Sequence, residues 1–195
     1  MEPLNPFSLH PFLLFFIIIM ISITPPRTLA THQEGAGPKN KTGSMTEQLL
    51  AHVVSESLQF LYAHNIVRQS KSEPPLTWDY NLEKYARWWA GQRRHDCELI
   101  HSFPEGEFTL GENIFWGGGS AWTPGDAVKL WVSEEKYYDY NSNTCEEGQV
   151  CGHYTQIVWK DTRKLGCARV VCDNRDVFIT CNYYPPGNYE GDRPY

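Results

Sequence analysis

The chain lacks the short motifs that mark several large enzyme classes. It contains no G-x-S-x-G, no H-E-x-x-H and no phosphate-binding P-loop, which argues against the familiar hydrolases. A nucleophile is also missing, because Ser102 is adjacent to His101 and sequence neighbours rarely face each other in a strand. We therefore expect a protein that binds a ligand and is not an enzyme.

An excess of basic residues is absent as well. The chain has 17 Lys and Arg against 23 Asp and Glu, which gives a net charge of −6 with His neutral. This balance argues against nucleic acid, or an anionic membrane surface, as a general partner. Aromatic residues, by contrast, make up 14% of the chain, which favours a packed domain over a disordered one.

The apolar run over residues 12–23 is too short to predict a membrane-spanning helix. No Lys or Arg precedes it, but its length and the small residues Thr28 and Ala30 favour a signal peptide over residues 1–30. Residues 31–45 are polar and predict a flexible lead-in, in which Asn40 begins either a glycosylation acceptor or an unused triplet. Residues 46–195 are then expected to form one secreted domain.

Hydrophobic spacing predicts helices first and strands last. A first helix is predicted over residues 46–70, where Leu58, Tyr62 and Ile66 are among the apolar residues at spacings of three and four. The same reasoning predicts helices over 80–93, from Pro124 through Glu134 and over 151–159, and strands over 114–116, 167–172 and 177–183. This order indicates an α+β sandwich, with the last two strands forming an antiparallel hairpin.

Six cysteines lie in the second half of the chain: Cys97, Cys145, Cys151, Cys167, Cys172 and Cys181. An even number behind an apolar leader predicts three disulfides in an oxidising compartment. Hairpin geometry favours one pair, Cys167 with Cys181, and sequence alone leaves the remaining connectivity open. A zinc-thiolate site is disfavoured because no C-x2-C pair is present.

Two histidines and two glutamates stand out among these cysteines: His101, Glu112, Glu134 and His153. If the fold brings them together, they suit a divalent zinc-type ion or a proton-transfer site. The alternative is a buried polar network that ties helices to loops. Sequence spacing does not choose between these interpretations.

Four aromatic residues surround a glycine-rich loop at residues 117–119: Phe108, Phe115, Trp116 and Trp122. Core packing is one interpretation of this cluster. The other is a groove that accepts a flat apolar ligand.

Several longer motifs resemble one protein family. They are GHYTQIVW at 152–159, LGC at 165–167, CNY at 181–183, PGNY at 186–189, GENI at 111–114, LWVSE at 130–134 and HS at 101–102. The stretch from residue 46 to residue 195 thereby resembles the plant pathogenesis-related protein 1 family. That family belongs to the CAP superfamily, with the cysteine-rich secretory proteins and antigen 5 allergens.

The resemblance implies a three-layer α-β-α sandwich with the disulfides Cys97–Cys172, Cys145–Cys151 and Cys167–Cys181. It also implies that His101, Glu112, Glu134 and His153 converge in a central cleft. In relatives that cleft has been linked to divalent metal, so zinc at His101 and His153 is an expectation, although no cofactor is required.

The resemblance further implies a monomer secreted to the apoplast, which defends a plant against fungi and oomycetes. We expect it to bind a sterol or another lipid of a microbial membrane, with Phe108, Phe115, Trp116 and Trp122 as lipid-binding candidates. One alternative is a metal-dependent hydrolase that uses the His/Glu cleft. Another is a precursor that releases residues 185–195 as a signalling peptide, although Tyr184 stands where the family has an acidic residue.

Overall fold

Helices form the first part of the described chain and a hairpin forms the last. The computed structural model describes the backbone of residues 45–103 and 109–195 and the side chains of 56–103 and 109–195. The signal peptide and Asn40 predicted from the sequence lie outside these residues. The helices are α1 (Met45–Ser70), α2 (Tyr80–Arg93), α3 (Pro124–Val132) and α4 (Gly152–Ile157). The strands are β1 (Thr77–Trp78), β2 (Gly111–Gly117), β3 (Tyr138–Asp139), β4 (Thr144–Cys145), β5 (Lys164–Val171) and β6 (Val177–Tyr184).

The main sheet has the strand order β1-β5-β6-β2. Strands β5 and β6 form the predicted hairpin, β2 pairs antiparallel with β6, and β1 pairs parallel with β5. One face of the sheet packs on Phe60 of α1, Trp131 of α3 and Tyr154 of α4. The opposite face packs on Ala86 and Ala90 of α2. The three-layer α-β-α sandwich is thereby confirmed.

Helix α2 lies unusually close to strand β5. A Cβ atom at Gly166 would lie 2.2 Å from the backbone N of Glu83 and 2.5 Å from the carbonyl C of Leu82. Glycine is therefore needed at this position. The start of α2 is fixed by Asp79, whose side chain accepts hydrogen bonds from the amides of Asn81 and Leu82.

All three expected disulfides are confirmed. Cys97–Cys172 joins the segment after α2 to the end of β5, across 75 residues. Cys145–Cys151 links two cysteines that are 6 positions apart in the sequence, and Cys167–Cys181 joins directly opposite residues of β5 and β6. No free cysteine is found in the described part of the chain.

Two local predictions are corrected. Helix α3 ends at Val132, and Glu134 lies in the 3-10 helix Ser133–Tyr137 that follows. The Ser133 hydroxyl donates to the carbonyl of Leu130 at 2.6 Å, a local bond that competes with a continuing helix. Strand β2 is longer than predicted because it pairs with β6 along its whole length.

Helix α1 buries two polar residues and exposes three of the apolar residues that were expected to face the core. His64 and Arg68 are fully buried beside Phe60, whereas Leu58, Tyr62 and Ile66 are exposed. The helix exists as predicted, but its apolar spacing does not mark its buried face. No helix of residues 45–103 and 109–195 has the length and apolar character needed to cross a membrane.

Candidate ligand-binding clefts

His101 and Glu112 form the first of two His–Glu pairs. His101 Nδ1 lies 2.8 Å from Glu112 Oε1, and the Glu112 side chain is only 1% exposed. The amide and hydroxyl of Ser102 donate to the same carboxylate at 2.9 and 2.6 Å, and Asn182 Nδ2 donates at 3.2 Å. The carboxylate therefore collects donors from the loop before β2 and from β6.

These donors control the charge of Glu112. Burial alone raises the pKa of this carboxyl, but the hydrogen bonds from His101 and Ser102 outweigh burial, so the pKa lies below its usual value. The ionised form stabilises the fold at neutral pH. That contribution is lost as the pH falls through the lowered pKa.

His153 and Glu134 form the second pair. His153 Nδ1 lies 2.6 Å from Glu134 Oε1, and Oε2 accepts the amides of His153 and Tyr154 at 3.0 and 3.2 Å. Glu134 thus holds the first turn of α4 as well as the imidazole. The Trp131 ring stacks on the His153 ring, with centroids 6.0 Å apart and planes inclined by 16°.

A buried network that the sequence did not predict lies beneath the second pair. Asn113 Nδ2 donates to the carbonyl of His153 and to the Tyr183 hydroxyl, both at 3.0 Å. That hydroxyl lies 2.8 Å from His64 Nε2. The sequence signal for this network was His64, which lies four residues from both Phe60 and Arg68 and therefore shares their face of the helix.

The four predicted residues meet in pairs. Glu112 and Asn113 are consecutive in β2 and point to opposite faces of the sheet, so the first pair and the network of the second lie on different sides of that strand. In each pair the glutamate contacts Nδ1 of the histidine, as do the carboxylates that orient metal-binding imidazoles in many proteins. Within the described residues, however, no group of three or more His, Cys, Asp or Glu could hold an ion. A catalytic zinc usually has three protein ligands, and the described residues do not supply such a set, so zinc at His101 and His153 and the hydrolase alternative stay predictions.

A cleft of about 440 Å³ opens beside the first pair. His101 and Glu112 line it, together with Gln156 of α4. Leu110 and Gly111 also line it, and the tail of the chain, from Pro186 to Glu190, forms another wall. The tail therefore helps to shape the space beside the His101–Glu112 pair.

The tail is bonded to the domain along its length. The amide of Gly187 donates to Gln156 Oε1 at 2.8 Å, and Asn188 Oδ1 accepts the Thr155 hydroxyl at 2.7 Å. Further on, the Tyr195 ring stacks on Tyr140, with centroids 4.8 Å apart. Release of residues 185–195 as a peptide would therefore break contacts that belong to the fold.

Truncation tests this tail directly. We expect a chain that ends at Tyr184 to unfold at a temperature about 5–15 °C lower, equivalent to roughly 2–4 kcal/mol, because the buried Oε1 of Gln156 loses its donor and the ring stack is lost. Thermal unfolding followed by circular dichroism measures this shift. Glu190→Gln keeps the tail and should unfold like the wild type, and an unchanged melting temperature on truncation would show that the tail contributes nothing to stability.

Phe115 and Trp116, two adjacent aromatic residues near the glycine loop, do not share a groove. Phe115 is buried in the core and packs edge-on against Trp122, with centroids 5.3 Å apart. Trp116, the next residue, points to the other face, is 46% exposed and donates its Nε1–H to Asp176. Phe108 lies outside the described residues. Phe115 therefore serves in packing, and the lipid-binding role of the group stays a prediction.

A different apolar surface lies on the outer face of α1. Leu58, Tyr62 and Ile66, each one turn apart, are 60%, 70% and 49% exposed. We call these three residues the α1 stripe. A cleft of about 560 Å³ lies along it, between Tyr62 and Ile66 on the helix and Pro75 in the next segment.

Comparisons with known proteins agree with this architecture. Residues 61–183 match the CAP family, described as the cysteine-rich secretory protein family. The chain is similar to the pathogenesis-related protein PR-1 of Medicago truncatula, with 54% identity over 138 residues that cover 70% of this chain and 78% of the relative. It is 49% identical over 136 residues to the pathogenesis-related protein 1A of Nicotiana tabacum, across 70% of this chain and 79% of that one.

Solved structures show the same fold. The venom allergen-like protein 4 of Schistosoma mansoni superposes with a TM-score of 0.56 at 28% identity, over 72% of this chain and 93% of that chain. A structure of NaASP2 with Zn2+ superposes with a TM-score of 0.58 at 26% identity, over 82% of this chain and 90% of that chain.

Proposed function

The chain belongs to the CAP cysteine-rich secretory protein family, and from that premise we propose that it is a plant defence protein that works outside the cell by binding a sterol or another microbial lipid. The named plant relatives are pathogenesis-related proteins. The three disulfides support export, because such bonds persist in oxidising compartments. Removal of a membrane lipid then accounts for antimicrobial action.

The geometry of the first His–Glu pair supports binding over catalysis. A serine nucleophile needs its hydroxyl against the imidazole that serves as its base. Here the Ser102 hydroxyl donates to Glu112, at 2.6 Å, and His101 contacts the same carboxylate through Nδ1. Serine and histidine therefore share one acceptor, which is not the arrangement of a catalytic triad.

The α1 stripe is the observation that carries lipid binding. Three large apolar side chains face water on a helix whose inner face holds a buried arginine and histidine. Burying such side chains against a ligand contributes about 1.5–3 kcal/mol each when burial is complete. A ligand with a rigid apolar body would cover the stripe.

The cleft beside the stripe is shaped before any ligand binds. Asn65 Nδ2 donates to the carbonyl of Leu76 at 3.1 Å, and the amide of Leu76 donates back to Asn65 Oδ1 at 2.8 Å. These two bonds hold the segment after α1 against the helix. Gln69 and Glu73 add polar groups at the edge of the cleft, where the single hydroxyl of a sterol could bond.

Titration with a fluorescent sterol in detergent-free buffer tests this proposal. We expect saturable binding by the wild type, and a loss of affinity of about thirtyfold or more in the double variant Tyr62→Ser, Ile66→Ser, because two apolar contacts are removed. The control is Val150→Ser, because Val150 is an apolar residue that is 58% exposed and lies outside the stripe. Equal affinities of the double variant and the wild type would remove the α1 stripe as the site, and no saturable binding by the wild type would remove sterol capture.

A further inference from the structure

Four tyrosine side chains meet where the end of the chain packs against the β3–β4 hairpin. Tyr138 and Tyr140 belong to the hairpin, Tyr154 to α4 and Tyr195 to the end of the chain. We call these four residues the tyrosine cluster. Neither the His–Glu pairs nor the α1 stripe includes any of them, so the cluster has no part in the function proposed above.

Tyr140 and Tyr195 form the closest ring pair of the tyrosine cluster. Their ring centroids lie 4.8 Å apart and their planes are inclined by 13°, so the two phenols are stacked. The rings of Tyr138 and Tyr154, by contrast, are 6.2 Å apart and inclined by 54°. Stacking at the shorter distance brings edge carbons of one phenol close to those of the other, which is the contact that a bond between the rings requires.

The stacked pair is held by bonds from both segments of the chain. The Tyr140 hydroxyl donates to the main-chain oxygen of Tyr195 at 2.6 Å. Arg193 donates through Nε and Nη2 to the carbonyls of Tyr140 and Asn141, at 3.1 and 2.9 Å. Two groups that are held in contact react as one unit, without the cost of finding each other in solution.

An oxidant in solution can reach this pair. Tyr140 is 40% exposed, and Tyr195 is partly exposed. Thiols quench phenoxyl radicals, but the described part of the chain has no free cysteine that could do so. The three disulfides also favour a compartment in which oxidants persist.

We propose that Tyr140 and Tyr195 are a site of oxidative cross-linking, at which a haem peroxidase and hydrogen peroxide join the two rings as dityrosine. Each phenol loses one electron and one proton, and the peroxide is reduced to two water molecules. The two phenoxyl radicals then form a carbon–carbon bond between ring positions next to the oxygens. The hydrogen on each of these carbons moves to the oxygen of the same ring, which restores both phenols.

The cross-link would make the end of the chain a covalent part of the domain. The tail from Pro186 to Glu190 lines the cleft beside the His101–Glu112 pair, and the cross-link lies beyond this segment. A cut after Tyr184 would therefore leave the tail attached through Tyr195. Oxidation would thus oppose the release of residues 185–195 as a peptide.

Treatment of the purified wild-type domain with a plant haem peroxidase and an equimolar amount of hydrogen peroxide tests the proposal. We expect dityrosine fluorescence from the monomer, together with an intact mass lower by two hydrogen atoms. Mass spectrometry after proteolysis should find one cross-linked peptide that contains Tyr140 and Tyr195. The yield per molecule should not depend on protein concentration, because both rings belong to the same chain.

Two phenylalanine variants locate the cross-link. Tyr140→Phe and Tyr195→Phe should each lower the dityrosine yield of the monomer by about tenfold or more, because phenylalanine forms no phenoxyl radical and the other tyrosine pairs are not stacked. Tyr195→Phe also keeps the hydrogen bond from the Tyr140 hydroxyl, since its acceptor is the main chain. The matched control is Tyr80→Phe, because Tyr80 is 80% exposed and lies outside the tyrosine cluster. Circular dichroism with thermal unfolding confirms that each variant is folded.

Three results would overturn the proposal. The first is an undiminished yield in both cluster variants, and the second is a cross-link mapped to other tyrosines. The third is a wild type that forms only linked dimers, in an amount that rises with protein concentration, or no dityrosine at all. Any of these would leave the stacked pair as a packing contact, and none would affect the sterol titration of the α1 stripe.

Discussion

Replacing Arg68 with Met is expected to lower the free energy of unfolding by about 3–5 kcal/mol. The Arg68 side chain is fully buried and donates hydrogen bonds to four backbone carbonyls. They belong to Pro74, Ile157, Trp159 and Thr162, at 2.8, 3.0, 2.8 and 3.2 Å. Methionine fills similar space but leaves these acceptors without their donor, and each buried unsatisfied group costs about 1–3 kcal/mol.

Denaturant unfolding with the disulfides intact measures the loss. Burial lowers the pKa of Arg68 to about 10, so the side chain is still charged at neutral pH and Arg68→Lys would retain the charge while losing most of the bonds. The matched control is Arg94→Met, because Arg94 is 60% exposed in its ion pair with Asp173 and should cost less than about 1 kcal/mol. If Arg68→Met is as stable as the control, the four carbonyl bonds do not hold α1 to α4.

Acidification from about pH 6.5 to about pH 4 should destabilise the protein by roughly 3 kcal/mol through one residue, His64. Burial lowers the pKa of His64 from 6.5 to about 4, with the nearby positive charge of Arg68 acting in the same direction. In this window the unfolded chain binds a proton that the folded chain does not, so stability falls as the pH falls. Below it, carboxylates with lowered pKa values such as Asp79 and Asp126 add their own losses.

Unfolding at successive pH values, with NMR titration of the imidazole signals, separates this effect. His64→Gln should flatten the pH dependence between pH 6.5 and 4, because glutamine does not titrate. Val150→Gln is the control, since Val150 is 58% exposed and the change adds glutamine without removing a titratable group. A wild-type curve that is flat in this window, or a folded His64 that titrates near its ordinary pKa, would contradict the prediction.

Much of the fold could be predicted from the sequence because its strongest patterns are local. Helix α2 has the predicted bounds, and the hairpin of β5 and β6 lies within a few residues of its predicted place. Strand β1 has only two residues, Thr77 and Trp78, and it exists because β5 offers it a parallel edge. No local pattern signals such a partner.

The orientation of α1 could not be predicted for a different reason. Phe60, His64 and Arg68 recur every four residues, and so do Leu58, Tyr62 and Ile66. Either set can form one face of a helix, and hydrophobicity favours burying the second. The first is buried because Arg68 finds four carbonyls in segments distant in sequence, and only the tertiary fold brings them there.

The sequence predicted which residues form the candidate site, but it did not predict which histidine pairs with which glutamate. The motifs named His101, Glu112, Glu134 and His153, and the structure joins each histidine to one glutamate. Which partner each one takes depends on β2 and on the turn after α3. The supporting donors come from ordinary strand and loop positions that carry no motif of their own.

The sheet separates the α1 stripe from the His101–Glu112 pair. Helix α1 packs on one face of the sheet, and Glu112 points to the opposite face together with Ile114, which packs on α2. A lipid held on the outside of α1 would therefore leave His101 open to a second compound. Two unlike molecules can then occupy one domain at the same moment, and each would be displaced only by its own competitor.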